Sequence, residues 1–136
     1  MGGKLLKFLF KITQAIQFLH NNGMIHRDIK PENILITKNY RPKLADFGTS
    51  VYQADVKNTF CGTFEYMAPE IYQRKKQTEK VDIWAIGILL YEMLHKWTPF
   101  KGMTVDQIKS QIQGKLVKFT SDLILLEDPN SNIAIK

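Results

Sequence analysis

One cysteine, Cys61, stands among 136 residues, so no internal disulfide can form. A single thiol excludes the disulfide-stapled secreted scaffolds and fits a reducing compartment. Long hydrophobic runs are lacking too. The most apolar stretch, Val81 to Leu94, is interrupted by Asp82 and Glu92 and is too short to span a bilayer. No secretory leader pattern precedes it. Gly2 stands where an acyl chain is attached in myristoylated proteins, but Leu6 occupies the position that wants serine or threonine. These absences lead us to expect an intracellular protein, cytoplasmic or nuclear, without a membrane partner. There are no internal repeats and no low-complexity segment.

Enough is present for one domain with a real core: 44% of the residues are hydrophobic. The formal charge is +6, yet the cations are spread along the chain and the tightest cluster is only Arg74-Lys75-Lys76. That distribution reads as a solvated basic surface, so no nucleic-acid partner is expected.

Leu5, Phe8, Leu9, Ile12, Ala15, Ile16 and Leu19 recur at helical spacing, and Asn21-Asn22-Gly23 ends that helix. Ile34-Leu35-Ile36 and Lys43-Leu44-Ala45 predict a small β-hairpin across a turn at 38–42. Residues 46–68 show no sustained period and predict a long loop, a feature that in compact domains usually serves function. Thr78 is placed to cap a helix through Val81, Trp84, Ala85, Ile88, Leu89 and Leu94, with Pro99 as its stop. Ile83, Ile86 and Leu90 make that helix apolar nearly all round, which predicts a central, buried element. Thr104 and Gln107 form a capping-box pattern for a last helix that turns Val105, Ile108 and Ile112 inward and stops at Gly114.

The chemistry concentrates between residues 26 and 46. Asp28 is a carboxylate able to take the proton of an attacking hydroxyl, and Lys30 offers an ammonium to a phosphate. Asn33 supplies a neutral amide oxygen and Asp46 a charged one, both hard ligands suited to Mg²⁺, and the hairpin between them returns the chain so that both can reach one metal. Taken singly, each has a plain reading as a cap or turn residue, and Asp28 with Asp46 could form a glycosidase pair. The spacing favours phosphoryl transfer.

His26-Arg27-Asp28 followed by Asn33, then Asp46-Phe47-Gly48 and Ala68-Pro69-Glu70, resemble the signature set of the eukaryotic protein kinases, in the same order. Lys30-Pro31-Glu32-Asn33 resembles the serine/threonine class, and the segment from Thr59 to Met67 resembles the Aurora and related basophilic kinases. The resemblance covers about residues 5–114, which it implies are a partial C-terminal lobe; 115–136 would be its degenerate or truncated end. The implied fold is mainly α, with helices around a buried central helix, a small β-hairpin and no N-terminal lobe.

The implied activity is transfer of the ATP γ-phosphate to serine or threonine hydroxyls of a protein substrate, with ATP and Mg²⁺ as cofactors. Asp28 would be the base, Lys30 the γ-phosphate contact and Thr63 the residue beside both. Asn33 and Asp46 would be the Mg²⁺ ligands, and Leu35 would lie under the adenine ring, with ordinary core packing true of it as well and not in competition. Thr59 would be the phosphosite of an upstream activating kinase and Arg27 the cation that receives its phosphate; the plain reading of Thr59 is an exposed loop hydroxyl. Asp82 would brace the catalytic loop. Cys61 reads as a small apolar packing residue, His26 as a structural link to Phe47, and His20 and His95 as ordinary helix residues.

Two departures from the family pattern shape the expectation for activity. The glycine-rich loop, strand lysine and helix glutamate of an N-terminal lobe are not found, and Gly2-Gly3 is no substitute. No arginine follows Arg74, and Asn132 stands where the family's arginine would pair with Glu70, while the stretch from Phe119 to Leu125 suggests an internal deletion. The isolated chain is therefore expected to be weakly active or inactive. The alternatives are a non-catalytic, kinase-derived binding module and an incomplete gene product.

Overall fold

The computed structural model describes residues 2–102 and 104–114. Helix α1, Gly2–Asn21, leads into a short strand β1, Met24–Ile25. Strands β2, Ile34–Ile36, and β3, Pro42–Leu44, follow, and then β4, Val51–Tyr52. A one-turn helix α2, Pro69–Tyr72, precedes α3, Lys80–His95, and α4, Val105–Gly114.

The apolar stripe of α1 buries Leu9, Ile12 and Ile16, with Leu5, Phe8 and Leu19 partly covered. Gly23 follows the helix at φ 71°, a conformation that costs glycine nothing. Against this stripe lie Ile25, Ile29 and Ile34, and beyond them Val81, Ala85, Ile88 and Leu89 of α3. The hairpin pairs Ile34 with Leu44 and Ile36 with Pro42, one residue earlier at its second strand than the pattern suggested. Proline is tolerated there because, among the described residues, the pair is an edge with no third strand to bond.

Three sequence expectations need correction. The long loop at 46–68 contains β4, which pairs antiparallel with β1 in the register Met24 to Tyr52 and Ile25 to Val51. Two-residue strands are too short to leave a periodic trace, and the pairing partner is distant in the chain. Helix α3 is not buried all round: Ile83 is 56% exposed and Gly87 is exposed as well, so the apolar sequence gives a one-sided burial among the described residues. Nor does α3 begin on a Thr78 cap or run to Pro99. Glu79 is its N-cap, Thr78 Oγ1 accepts only a long 3.4 Å bond from Lys80 N, and Lys96 closes it in the left-handed conformation with its N–H on Glu92 O. In α4 the capping box is reciprocal: Thr104 Oγ1 accepts from Gln107 N, and Gln107 Oε1 from Thr104 N.

No helix among the described residues is long and apolar enough to cross a membrane. The proposed degenerate end, 115–136, with the Asn132 substitution and the short stretch after Phe119, lies outside the described residues.

Two tyrosines tie the 64–72 segment down. Tyr66 donates its hydroxyl to Glu92 of α3, and Tyr72 donates to the Phe64 carbonyl. Burial first, then the hydrogen-bonded Glu92 carboxylate, raises the Tyr66 phenol far above its ordinary range. Burial, with Glu65 adding to it, pushes the Tyr72 phenol up to about 12. An unfolded tyrosine ionises near 10. Between those values the folded chain keeps a proton that the unfolded chain has lost, so stability is intact below about pH 10 and falls above it, by roughly 1.4 kcal/mol per pH unit for each proton retained. Thermal denaturation from pH 8 to 12 should show a midpoint that is flat with respect to these groups and then declines, with a shallower decline in Tyr72→Phe.

Candidate active site

The site is built on a carboxylate buried in α3. Asp82 has 0% exposure, and such a charge is tolerable only when its oxygens are filled. Oδ1 accepts the Arg27 N–H at 2.8 Å, and Oδ2 accepts the His26 N–H at 2.9 Å and His20 Nε2–H at 2.7 Å. Asp82 thus joins α3, the end of α1 and the 26–28 loop. The expected brace is present, but His20, read from sequence as an ordinary helix residue, is one of its three partners. Nothing local marks it, since its partner lies 62 residues away.

The brace fixes a backbone that sequence preference would not choose. Arg27 sits at φ 68°, in the left-handed region that non-glycine residues avoid. His26 is fully buried. Its Nε2–H donates to Ala45 O at 3.1 Å and its Nδ1 accepts the Asp28 N–H at 3.3 Å, a pattern that assigns the neutral Nε2–H tautomer. Its ring meets Phe47 edge-on at 5.1 Å. One imidazole therefore links the loop holding Asp28 to the segment holding Asp46.

Around Asp28 three side chains close a hydrogen-bonded cluster. Asn33 Nδ2 donates to the Asp28 carbonyl at 2.8 Å and to Oδ2 at 3.0 Å. The Thr63 hydroxyl donates to Oδ1 at 3.0 Å and accepts from Lys30 Nζ at 2.8 Å. Lys30 Nζ lies 3.4 Å from Asp28 Oδ2, with both side chains largely covered. A carboxylate, an ammonium, a hydroxyl and an amide thus converge from residues 28–33 and from Thr63. Gly62 allows this approach: it adopts φ 105°, and a Cβ there would stand 2.8 Å from Arg27 O.

Asn33 and Asp46 are drawn together by the hairpin, where Ala45 N–H donates to Asn33 O at 2.9 Å. The Asn33 amide donates both its bonds to Asp28, and among the described residues no hydrogen bond falls on its Oδ1, which could therefore serve a cation. Asp46, exposed and at φ 57°, accepts Gly48 N–H on Oδ1 at 3.1 Å and keeps Oδ2 open. One amide oxygen and one carboxylate oxygen are donor types that could hold a divalent magnesium ion, which takes few protein ligands and completes its shell with water and phosphate. Among the described residues no trio of His, Cys, Asp and Glu forms a denser metal cluster.

The remaining sequence candidates are placed differently. Leu35 is 57% exposed, so the core-packing account of it is wrong; strand alternation turns it away from the buried Ile34. Thr59 is exposed, and no hydrogen bond or ion pair joins it to Arg27, whose Nε–H donates to Thr49 O at 2.8 Å. Instead the Thr59 carbonyl accepts from Nε2 of Gln77, a residue only 1% exposed. Sequence reading missed Gln77, because a glutamine between helices carries no pattern. Glu70 makes no ion pair among the described residues.

The family model for the protein kinase domain matches residues 3–133. An Aurora kinase of Schizosaccharomyces pombe is 46% identical over 99 residues, covering 72% of this chain and 28% of that protein. An Aurora kinase of Dictyostelium discoideum is 36% identical over 140 residues, covering 95% of this chain and 36% of that protein. A cAMP-dependent protein kinase type 3 of Saccharomyces cerevisiae is 41% identical over 109 residues, covering 80% of this chain and 27% of that protein. The chain belongs to the protein kinase family, and its similarity lies with serine/threonine kinases, Aurora kinases among them. It spans about a third of the length of these curated relatives or less.

Two substitutions test the architecture. Asp82→Asn keeps the shape but removes the charge and one acceptor, and should destabilise the chain by about 3 kcal/mol through stranded loop N–H groups, read as a lower urea midpoint. Gly62→Ala meets the Arg27 carbonyl in a left-handed conformation and should cost about 1–3 kcal/mol, measured the same way.

Proposed function

We propose that this chain is the C-terminal-lobe portion of a serine/threonine kinase catalytic domain, and that residues 28–33, with Asp46 and Thr63, carry phosphoryl transfer. The observation that supports it most is the Asp28, Lys30, Asn33 and Thr63 cluster, held on the Asp82 brace. On this reading residues 1–114 are the partial lobe and 115–136 its degenerate or truncated end.

When bound, Mg·ATP supplies the phosphoryl group and a divalent charge that neutralises its oxygens. Asp28 accepts the proton of a substrate serine or threonine hydroxyl, whose oxygen then bonds to the γ-phosphorus as the bond to ADP breaks. Lys30 offsets negative charge on the transferring group, and Thr63 holds Lys30 and Asp28 in register. Asn33 turns its amide donors to Asp28, and its Oδ1 together with the Asp46 carboxylate would hold magnesium. The open face of Leu35 suits an adenine ring. Thr59, exposed on its loop, is an accessible phosphosite, and Arg27, whose Nε–H alone donates to Thr49 O, would offer its terminal N–H groups to the phosphate.

The activity belongs to the whole protein. The 136-residue segment has no glycine-rich phosphate loop of its own and by itself should transfer phosphate weakly or not at all. The test is a Mg·ATP-dependent assay on serine and threonine peptides with the full-length gene product and its Asp28→Ala form. We expect turnover in the first and a fall of about a thousandfold or more in the second. Equal rates in the two would overturn the assignment of Asp28.

A further inference from the structure

The tightest basic cluster of the chain, Arg74-Lys75-Lys76, has no part in the site described above. The fold sets it beside the segment that carries Thr59. Gln77, the residue after the cluster, is 1% exposed, and its Nε2–H donates to the Thr59 carbonyl at 2.8 Å. Its Oε1 is buried with no hydrogen-bond partner among the described residues. A buried amide therefore spends its one side-chain bond on the main chain of residue 59, as a tether does. A second contact runs alongside it. The Phe60 ring meets Tyr72 at 5.9 Å, and both rings line a cleft of about 250 Å³ with Arg74 and with Asp106 and Lys109 of α4. Residues 59–60 thus lie along residues 72–77.

The turn that bears the cations is itself fixed. Arg74 takes φ 52° with its N–H on Ile71 O at 3.1 Å, and Lys75 N–H donates to Glu70 O at 2.9 Å. Arg74, Lys75 and Lys76 are exposed, as Thr59 is, and none of the three forms an ion pair among the described residues. A guanidinium offers a phosphate two parallel donors, and an ammonium offers a compact charge on a flexible stem. Cations of both kinds on one fixed turn suit a phosphate monoester held near it. We propose that the 74–76 turn is a second receiver for a phosphate on Thr59, acting with Arg27 and aligned by the Gln77 tether. This rests on the reading of Thr59 as a phosphosite. Thr63 follows four residues on, so a phosphate gripped from both sides fixes the segment that delivers Thr63 to Asp28 and Lys30.

The test uses the full-length gene product with phosphothreonine installed at position 59 by genetic encoding, so that no upstream kinase is needed. Phosphorus NMR follows the second ionisation of the phosphate, which lies at about 6 when nothing perturbs it. Low salt, about 50 mM, keeps surface charges weakly screened. Neighbouring cations favour the dianion, so the midpoint should fall below that of a free phosphothreonine peptide. Arg74→Gln/Lys75→Gln/Lys76→Gln should raise it by about half a pH unit or more, a threefold change in the ionisation constant. Circular dichroism should not change, because all three side chains are exposed. A midpoint unmoved by the triple variant would overturn the proposal, even where Arg27→Ala raises it. So would an equal rise on Lys4→Gln/Lys7→Gln/Lys11→Gln, which would leave only the general positive field of the chain. A peptide mass measurement on protein purified from its own cells reads the phosphosite separately. Absence of phosphate on Thr59 there would overturn the reading on which the proposal rests, whatever the triple variant does.

Discussion

A carboxylate sealed from water inside a helix needs donors on its oxygens, and for Asp82 these come from two consecutive backbone N–H groups and one imidazole. The rest of the site depends on that requirement. Backbone donors cannot be replaced by rotating a side chain, so satisfying Asp82 fixes the path of the chain through His26 and Arg27. The path then decides where Asp28 points. Apolar packing of Ile29 and Ile34 beneath the loop holds its far end, and between the two anchors the loop has little freedom left.

Strain follows from the same constraint. Arg27 and Asp46 both adopt left-handed backbone conformations without being glycine, and both lie within the chemistry-bearing region. Conformations of this kind persist where surrounding bonds over-determine them. Arg27 is held through Asp82, while the segment before Asp46 is held by His26 on the Ala45 carbonyl and by the hairpin bond to Asn33. His26 serves both sides, which explains a fully buried imidazole with both nitrogens engaged. Gly62 completes the arrangement from the other direction by admitting the 62–63 segment against the Arg27 carbonyl. Thr63 can then reach Asp28 and Lys30.

The surface divides in a comparable way. The Asp28 cluster mixes charges of both signs at hydrogen-bonding distance, whereas a groove between α1 and the hairpin presents one sign over apolar walls.

Much of this was legible in the residues. The helical stripe of α1, the hairpin, the capping box at Thr104 and the chemistry of residues 28–46 are local patterns, set by spacing, turn propensity and side-chain type. The sequence by itself determined which reactive groups exist and, through the order of its motifs, which family they belong to. Tertiary structure alone decided the rest, because each of those features depends on groups far apart in the chain. His20 becomes a partner of Asp82, and Gln77 of the Thr59 carbonyl, only once the helices have packed. Leu35 and Ile83 look like core from their hydrophobicity, but exposure is a property of what neighbours them and not of the side chain. Lys4, Lys7 and Lys11 of α1 come to share a groove with the distant Arg41 because α1 and the hairpin fold against each other, and charge acts through space, not along the backbone.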